Sequence, residues 1–166
     1  MIISGRPFAL SSLLVMLAAI GTAWGFQLIG GYVPCALCLE QRLGYYAAIP
    51  LAIIGFLIYP RMPALARIAF AVAAAAMVWS AGLGVYHAGA EWGFWPGPAD
   101  CGGGEQVRDA SNLLAAIEGT RLVSCTEAAG RFLGISFAGW NAVAAGMAAL
   151  LLLRAALFAP PSTRPR

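Results

Sequence analysis

The chain has 166 residues, of which 61% are apolar and only 10% are charged, and its formal net charge is +3. A soluble domain carries about 25% charged residues, so this composition excludes an ordinary soluble domain. The small positive charge comes from arginines spread along the chain, and it gives no indication of a nucleic-acid partner.

Four apolar stretches are long enough to cross a bilayer, whose core of about 30 Å requires about 20 helical residues. Each must be helical, because lipid offers backbone N–H and C=O groups no partner. The first could instead be a cleaved signal peptide, but its length and its aromatic far end favour a membrane span. The predicted helices run from about Phe8 to Leu28, Leu43 to Tyr59, Ile68 to Tyr86 and Phe132 to Leu153.

The arginines predict the orientation of these helices. One side of the membrane receives Arg6, Arg61, Arg67, Arg154, Arg164 and Arg166, and the positive-inside rule makes that side, with both termini, cytoplasmic. The loops 29–42 and 87–131 are then periplasmic. They hold all seven acidic residues and all four cysteines, although four arginines lie there too.

The predicted fold is an all-α membrane protein, an antiparallel four-helix bundle. Residues 1–159 form one membrane domain, and 160–166 form a disordered cytoplasmic tail. A short amphipathic helix is expected from about 107 to 119 in the second periplasmic loop. Small residues at four-residue spacing predict close helix packing at Gly21/Gly25 and at Ala138/Ala142/Gly146.

The candidate catalytic residues are the four cysteines: Cys35, Cys38, Cys101 and Cys125. Cys35 and Cys38 form a C-x-x-C motif, which is compatible with redox chemistry or with zinc. The wide spacing of the other pair is unlike a zinc knuckle. Two structural disulfides are a further alternative, but a C-x-x-C bridge closes too small a loop to stabilise a fold. A non-cytoplasmic location and a tight bridge both favour thiol–disulfide exchange.

Two further residues stand near the motif. Cys38 is expected at or just before the outer end of the second helix, where the helix N-terminus stabilises a thiolate. Arg42 follows one turn later and is either a cation beside that thiolate or a membrane-interface anchor. His87, the single histidine, either assists proton or quinone chemistry, or caps a helix or pairs with Glu91.

Together these residues resemble the DsbB family, the disulfide bond formation proteins B of Gram-negative inner membranes. The resemblance covers nearly the whole chain. It is carried by four helices, Pro34-Cys35-Ala36-Leu37-Cys38 in the first outer loop, Arg42 four residues later, and Pro-x-Asp-Cys with a distant second cysteine in the long outer loop.

The resemblance implies a quinone-dependent thiol oxidase. Cys101 and Cys125 would oxidise a periplasmic DsbA-like protein, and Cys35 and Cys38 would pass the electrons to ubiquinone or menaquinone. Arg42 and His87 would lie on the quinone side. The chain departs from the family pattern at Gln41, where an acidic residue precedes the arginine in a family member. The alternatives are a vitamin K epoxide reductase-like protein, in which the C-x-x-C usually lies later in the chain, and a non-catalytic scaffold with structural disulfides.

Overall fold

The computed structural model of the protein describes residues 5–98 and 125–158. In these ranges α1 spans Arg6–Leu28, α2 Ala36–Ile58, α3 Pro63–Glu91 and α4 Phe137–Leu157. A short hairpin precedes α4, in which β1 (Arg131–Phe132) pairs antiparallel with β2 (Ile135–Ser136). The expected amphipathic helix at 107–119 and the tail at 160–166 lie outside the described residues.

All four helices are long and apolar enough to cross a membrane, which confirms the predicted four-helix membrane bundle. Their outward faces carry large apolar side chains, for example Leu57, Trp79 and Leu150, each about two-thirds exposed at 64%, 66% and 64%. Such a surface is unfavourable in water and suits contact with lipid. The protein is therefore a multi-pass membrane protein.

The start predicted for the second helix is wrong. The helix begins at Ala36 and not at Leu43. The predicted start is too late because the apolar stretch is preceded by the polar residues 40–42, which are helical. Charged side chains at a membrane boundary do not interrupt backbone hydrogen bonding, and they can extend to the headgroups. The first turn of α2 is capped by Cys35, so the whole C-x-x-C motif belongs to the helix start.

The third and fourth helices also differ from their predicted bounds. α3 begins at Pro63, which is tolerated there because the first helical N–H needs no partner, and it continues to Glu91. His87 therefore lies in a helix and not in the loop 87–131. α4 begins at Phe137 and not at Phe132, because the hairpin occupies the preceding residues and the Ser136 hydroxyl accepts the N–H of Gly139 at 3.2 Å.

The helices form a ring in which α3 packs against α2 and α4, and α1 packs against α4 and less closely against α2. The helices α3 and α4 approach each other closely at Gly84. A Cβ added there would lie 2.9 Å from the backbone nitrogen of Ala142 and 3.1 Å from the carbonyl oxygen of Ala138. Small-residue packing is thus confirmed at Ala138 and Ala142. It is wrong for Gly21, Gly25 and Gly146, where no described group of another element lies within 4 Å of an added Cβ.

Candidate active site

The two sulfurs of the C-x-x-C motif lie at the first turn of α2. Cys35 is the N-cap residue, with extended backbone (φ −76°, ψ 171°), and its sulfur accepts a hydrogen bond from the backbone N–H of Cys38 at 3.2 Å. Both cysteines are free thiols, and their Sγ atoms are 2.8 Å apart. Since a disulfide bond is about 2.05 Å long, the sulfurs need to move only a little when a two-electron acceptor oxidises the dithiol to the disulfide.

In the dithiol, the helix N-terminus favours a thiolate on Cys35. The hydrogen bond from the Cys38 thiol has the largest effect on the pKa of Cys35, burial opposes it, and a hydrogen bond from His87 supports it, so that this pKa falls to about 5. The expectation that Cys38 holds the helix-end position is corrected, because the helix starts seven residues earlier than predicted. In the reduced pair the thiolate form is therefore favoured on Cys35.

His87 reaches this pair from α3. It is 3% exposed, and its Nε2 lies 3.7 Å from the Sγ of Cys35. The same nitrogen lies 3.6 Å from Oε1 of Glu91, one turn further along α3, so the predicted His87–Glu91 pairing is confirmed. The other ring nitrogen, Nδ1, lies 2.9 Å from the side-chain nitrogen of Gln41. The imidazole is thus held between the dithiol, a carboxylate and an amide.

Metal binding is the competing interpretation of this cluster. The donor atoms of Cys35, Cys38 and His87 all lie within 4.8 Å of one another. A structural zinc site takes four donors, and in the described part of the chain the cluster offers these three. The sulfurs are also close enough to bond to each other, which favours thiol–disulfide chemistry.

Arg42 lies one turn after Cys38 and is only partly exposed. Its guanidinium donates hydrogen bonds to Oε1 of Gln27 and to the carbonyl oxygen of Ala23 at 3.5 Å, both on α1. It also lies 5.5 Å from the ring centre of Trp24. These contacts hold the guanidinium of Arg42 against α1.

A cavity of about 560 Å³ opens between α1, α2 and α4 beside Cys38. Its polar lining includes Gln27, Cys38, Gln41, Arg42 and Asn141, and its aromatic lining consists of Phe26, Tyr32, Tyr45, Phe132, Phe137 and Trp140. Tyr45 lines the cavity, whereas Tyr46, Trp92 and Trp95 do not. His87 also lies outside this lining, and it contacts Cys35, which does not line the cavity either.

Cys125 is placed against the same pair. It is fully buried and packs with Cys35 and Leu37 in one small cluster, with Cys38 against it. Cys125 is disulfide-bonded. Cys101 lies outside the described residues. Three of the four cysteines that the sequence singled out therefore converge at one end of the bundle.

The sequence interpretation missed the role of two amides. Gln41, noted only as a departure from the family pattern, is 4% exposed and contacts His87. Asn141 on α4 donates to Oε1 of Gln41 at 2.7 Å and was not singled out. A lone asparagine within an apolar span is a signal that could have found it, because polar groups inside membranes are costly and often functional.

Comparisons with known proteins agree with this geometry. The family profile described as "Disulfide bond formation protein DsbB" matches residues 5–155. A curated relative named "Disulfide bond formation protein B" from Marinobacter nauticus is 31% identical over 139 residues, covering 78% of this chain and 79% of the relative. Proteins of the same name from Acinetobacter baumannii and Acinetobacter baylyi are 35% and 34% identical over 79 residues, which is 46% of each chain.

No solved structure matches the chain significantly. The family match favours neither the vitamin K epoxide reductase-like alternative nor the non-catalytic scaffold. It spans all four helices and the cysteine motif, and the curated relatives carry the same name as the profile. The chain belongs to the DsbB family of disulfide bond formation proteins.

Proposed function

We propose that the protein is a thiol oxidase of the bacterial inner membrane, which reoxidises a periplasmic DsbA-like dithiol protein and passes the electrons to a membrane quinone. The observation that carries this proposal is the Cys35–Cys38 dithiol, whose sulfurs lie 2.8 Å apart between a buried imidazole and an apolar cavity. Such a pair can exchange electrons with another disulfide on one side and with a lipid-soluble acceptor on the other.

The proposed exchange steps are supported by the different states of the cysteines. We assign Cys101 as the partner of Cys125, which is disulfide-bonded while Cys35 and Cys38 are free. A thiolate of the partner protein attacks Cys101 and releases Cys125 as a thiolate. The second thiol of the partner then closes its own disulfide and releases Cys101.

The second exchange moves the electrons to the C-x-x-C motif. The Cys125 thiolate attacks Cys35 in the oxidised Cys35–Cys38 pair, which belongs to the same buried cluster, and releases Cys38 as a thiolate. Cys101 then attacks Cys125, restoring their disulfide and releasing Cys35. The partner dithiol has lost two electrons, which now reside on Cys35 and Cys38.

The residues around the cavity fit a quinone. Aromatic and aliphatic side chains form most of the wall, while the guanidinium of Arg42 offers N–H donors that suit carbonyl oxygens. The quinone would supply a two-electron acceptor that restores the Cys35–Cys38 disulfide. Arg42, Phe137 and Trp140 would hold it beside Cys38, and ubiquinone or menaquinone has this chemistry.

Anaerobic mixing of the purified protein with a reduced DsbA-like protein and a quinone tests the proposed function. Quinone absorbance should fall as the partner is oxidised. A partner whose second cysteine is replaced by serine cannot close its own disulfide, so it should remain as a covalent partner–Cys101 adduct on a non-reducing gel, and Cys101→Ser should abolish this adduct. A partner that couples directly to Cys35 in the otherwise unchanged protein would contradict the order of steps, and a quinone that stays oxidised would contradict the function.

Arg42 provides a separate test of the quinone site. Losing a hydrogen bond to a charged group costs about 1.5–3 kcal/mol, so Arg42→Ala should raise the apparent KM for quinone tenfold or more. Arg42→Lys should recover only part of this, because an ammonium cannot replace a planar fork. Arg61→Ala, in the exposed turn between α2 and α3, is the matched control and should leave the KM unchanged. An unchanged KM in Arg42→Ala would make this residue an interface anchor.

A further inference from the structure

A line of hydrogen-bonded side chains crosses the bundle from α4 to the cysteine pair. The Tyr45 hydroxyl and Asn141 Oδ1 are 2.7 Å apart, and Asn141 Nδ2 lies 2.7 Å from Oε1 of Gln41. Gln41 Nε2 lies 2.9 Å from Nδ1 of His87, whose Nε2 faces Cys35 at 3.7 Å. Three helices contribute to this line, and it ends on the sulfur that caps α2.

One backbone carbonyl determines the direction in which hydrogen bonds are donated along this line of side chains. The carbonyl oxygen of Ser80 lies 3.3 Å from Asn141 Nδ2, and a carbonyl can only accept. The NH₂ group of Asn141 must therefore face Ser80, and its remaining N–H donates to Oε1 of Gln41. The NH₂ group of Gln41 then points at His87. The Ser80 hydroxyl also donates to the carbonyl oxygen of Gln41 at 2.8 Å, which holds this turn of α2 against α3.

Because Gln41 donates to Nδ1, that nitrogen must present its lone pair and the ring proton must sit on Nε2. Two acceptors lie on the Nε2 side, Cys35 Sγ at 3.7 Å and Glu91 Oε1 at 3.6 Å, and they favour the same tautomer. The second carboxylate oxygen of Glu91, Oε2, is buried and has no hydrogen-bond partner among the described residues. No described group therefore draws the carboxylate away from the imidazole.

We propose that Gln41 and Asn141 are positioning residues that hold His87 in the Nε2–H tautomer and direct this N–H to the sulfur of Cys35. The imidazole then acts as a neutral hydrogen-bond donor to Cys35 when this sulfur leaves as a thiolate. A neutral imidazole can make this hydrogen bond from Nε2 because Nδ1 accepts from Gln41 at the same time. This role in catalysis rests on the proposed function, whereas the tautomer itself does not.

The single histidine of the chain makes the tautomer directly measurable. In ¹⁵N-histidine-labelled full-length protein, purified in detergent with Cys35 and Cys38 reduced, NMR should show Nε2 protonated and Nδ1 unprotonated. Gln41→Glu keeps the side-chain shape but replaces the donor by a carboxylate, which must accept, so Nδ1 should become protonated. Asn141→Leu frees the Gln41 amide to rotate and should shift the tautomer ratio about fivefold towards Nδ1–H.

Gln27→Leu is the matched control, because this amide contacts Arg42 and not His87, and the histidine spectrum should stay unchanged. A proton on Nδ1 of the unmodified protein, or an unprotonated Nδ1 in Gln41→Glu, would overturn the inference. The unmodified protein alone decides the first outcome, even if a variant fails to fold. The measurement uses neither partner nor quinone, so failure of the oxidase assay and failure of this inference are distinguishable.

Discussion

At the scale of single residues, Cys35 and Cys38 differ because only Cys35 occupies the N-cap of α2. Its sulfur accepts the backbone N–H of Cys38 and faces His87. Cys38 lies inside the helix and lines the cavity. Under the proposed function the two thiols of one motif therefore have different tasks: Cys35 exchanges with Cys125, and Cys38 faces the electron acceptor.

The lowered pKa of Cys35 predicts an unusual pH dependence of its alkylation. A depressed pKa keeps the thiolate populated as the pH falls, so the rate of reaction with iodoacetamide should change little between about pH 8 and about pH 6, whereas an ordinary thiol slows about tenfold per pH unit. The reaction is measured in reduced Cys101→Ser/Cys125→Ser protein by mass spectrometry.

Removing the Cys38 thiol, which donates a hydrogen bond to Cys35, should give Cys35 the pH dependence of an ordinary thiol. The hydrogen bond from Cys38 is the largest cause of the low Cys35 pKa, so Cys38→Ala should raise this pKa and make alkylation of Cys35 fall with pH. Cys38→Ser retains a hydroxyl donor and should raise the pKa less. Alkylation in Cys38→Ala that is as pH-independent as in the parent protein would contradict this account.

At the scale of elements, the contact between α3 and α4 positions Asn141 opposite Gln41 and His87. The contact depends on Gly84, where any side chain would meet the backbone of α4 at about 3 Å. Backbone atoms cannot move aside as the end of a flexible side chain can, so a larger residue here must push the two helices apart.

Gly84→Val should therefore lower the thermal unfolding midpoint in detergent, with a cost of about 1–3 kcal/mol typical of overpacking. Gly82→Val, two residues earlier, is the matched control because no described group lies within 4 Å of a Cβ added there. Circular dichroism during heating measures both variants. Equal midpoints for the two would mean that the close approach at Gly84 contributes nothing to stability.

At the scale of the whole molecule, orientation in the membrane decides whether the cysteines can act as an oxidase. Disulfides form and persist outside the cytoplasm, and the arginine distribution predicts that the cysteine end faces the periplasm. Alkaline phosphatase fused after Gly104 should be active, and the same enzyme fused after Arg61 should be inactive. The reverse pattern would place the cysteines in a reducing compartment and would exclude the proposed function.

The sequence by itself determined the four membrane helices, because 20 apolar residues in lipid have no alternative to helix formation. It also identified the C-x-x-C motif and Arg42, because these residues are close together in the sequence and Arg42 follows Cys38 by one helical turn. The sequence did not predict the start of α2, because hydropathy shows which side chains prefer lipid and not where backbone hydrogen bonding begins.

Only the tertiary structure decided which polar side chains surround the cysteines. Gln41 and Asn141 are 100 residues apart, and His87 is 46 residues from Gln41. No periodicity or spacing links such distant residues. They meet because α2, α3 and α4 pack side by side, closely enough at Gly84 for short amides to reach across, and the resulting hydrogen-bond direction depends on a single carbonyl of Ser80. Proximity of this kind is a property of helix packing and not of the local sequence.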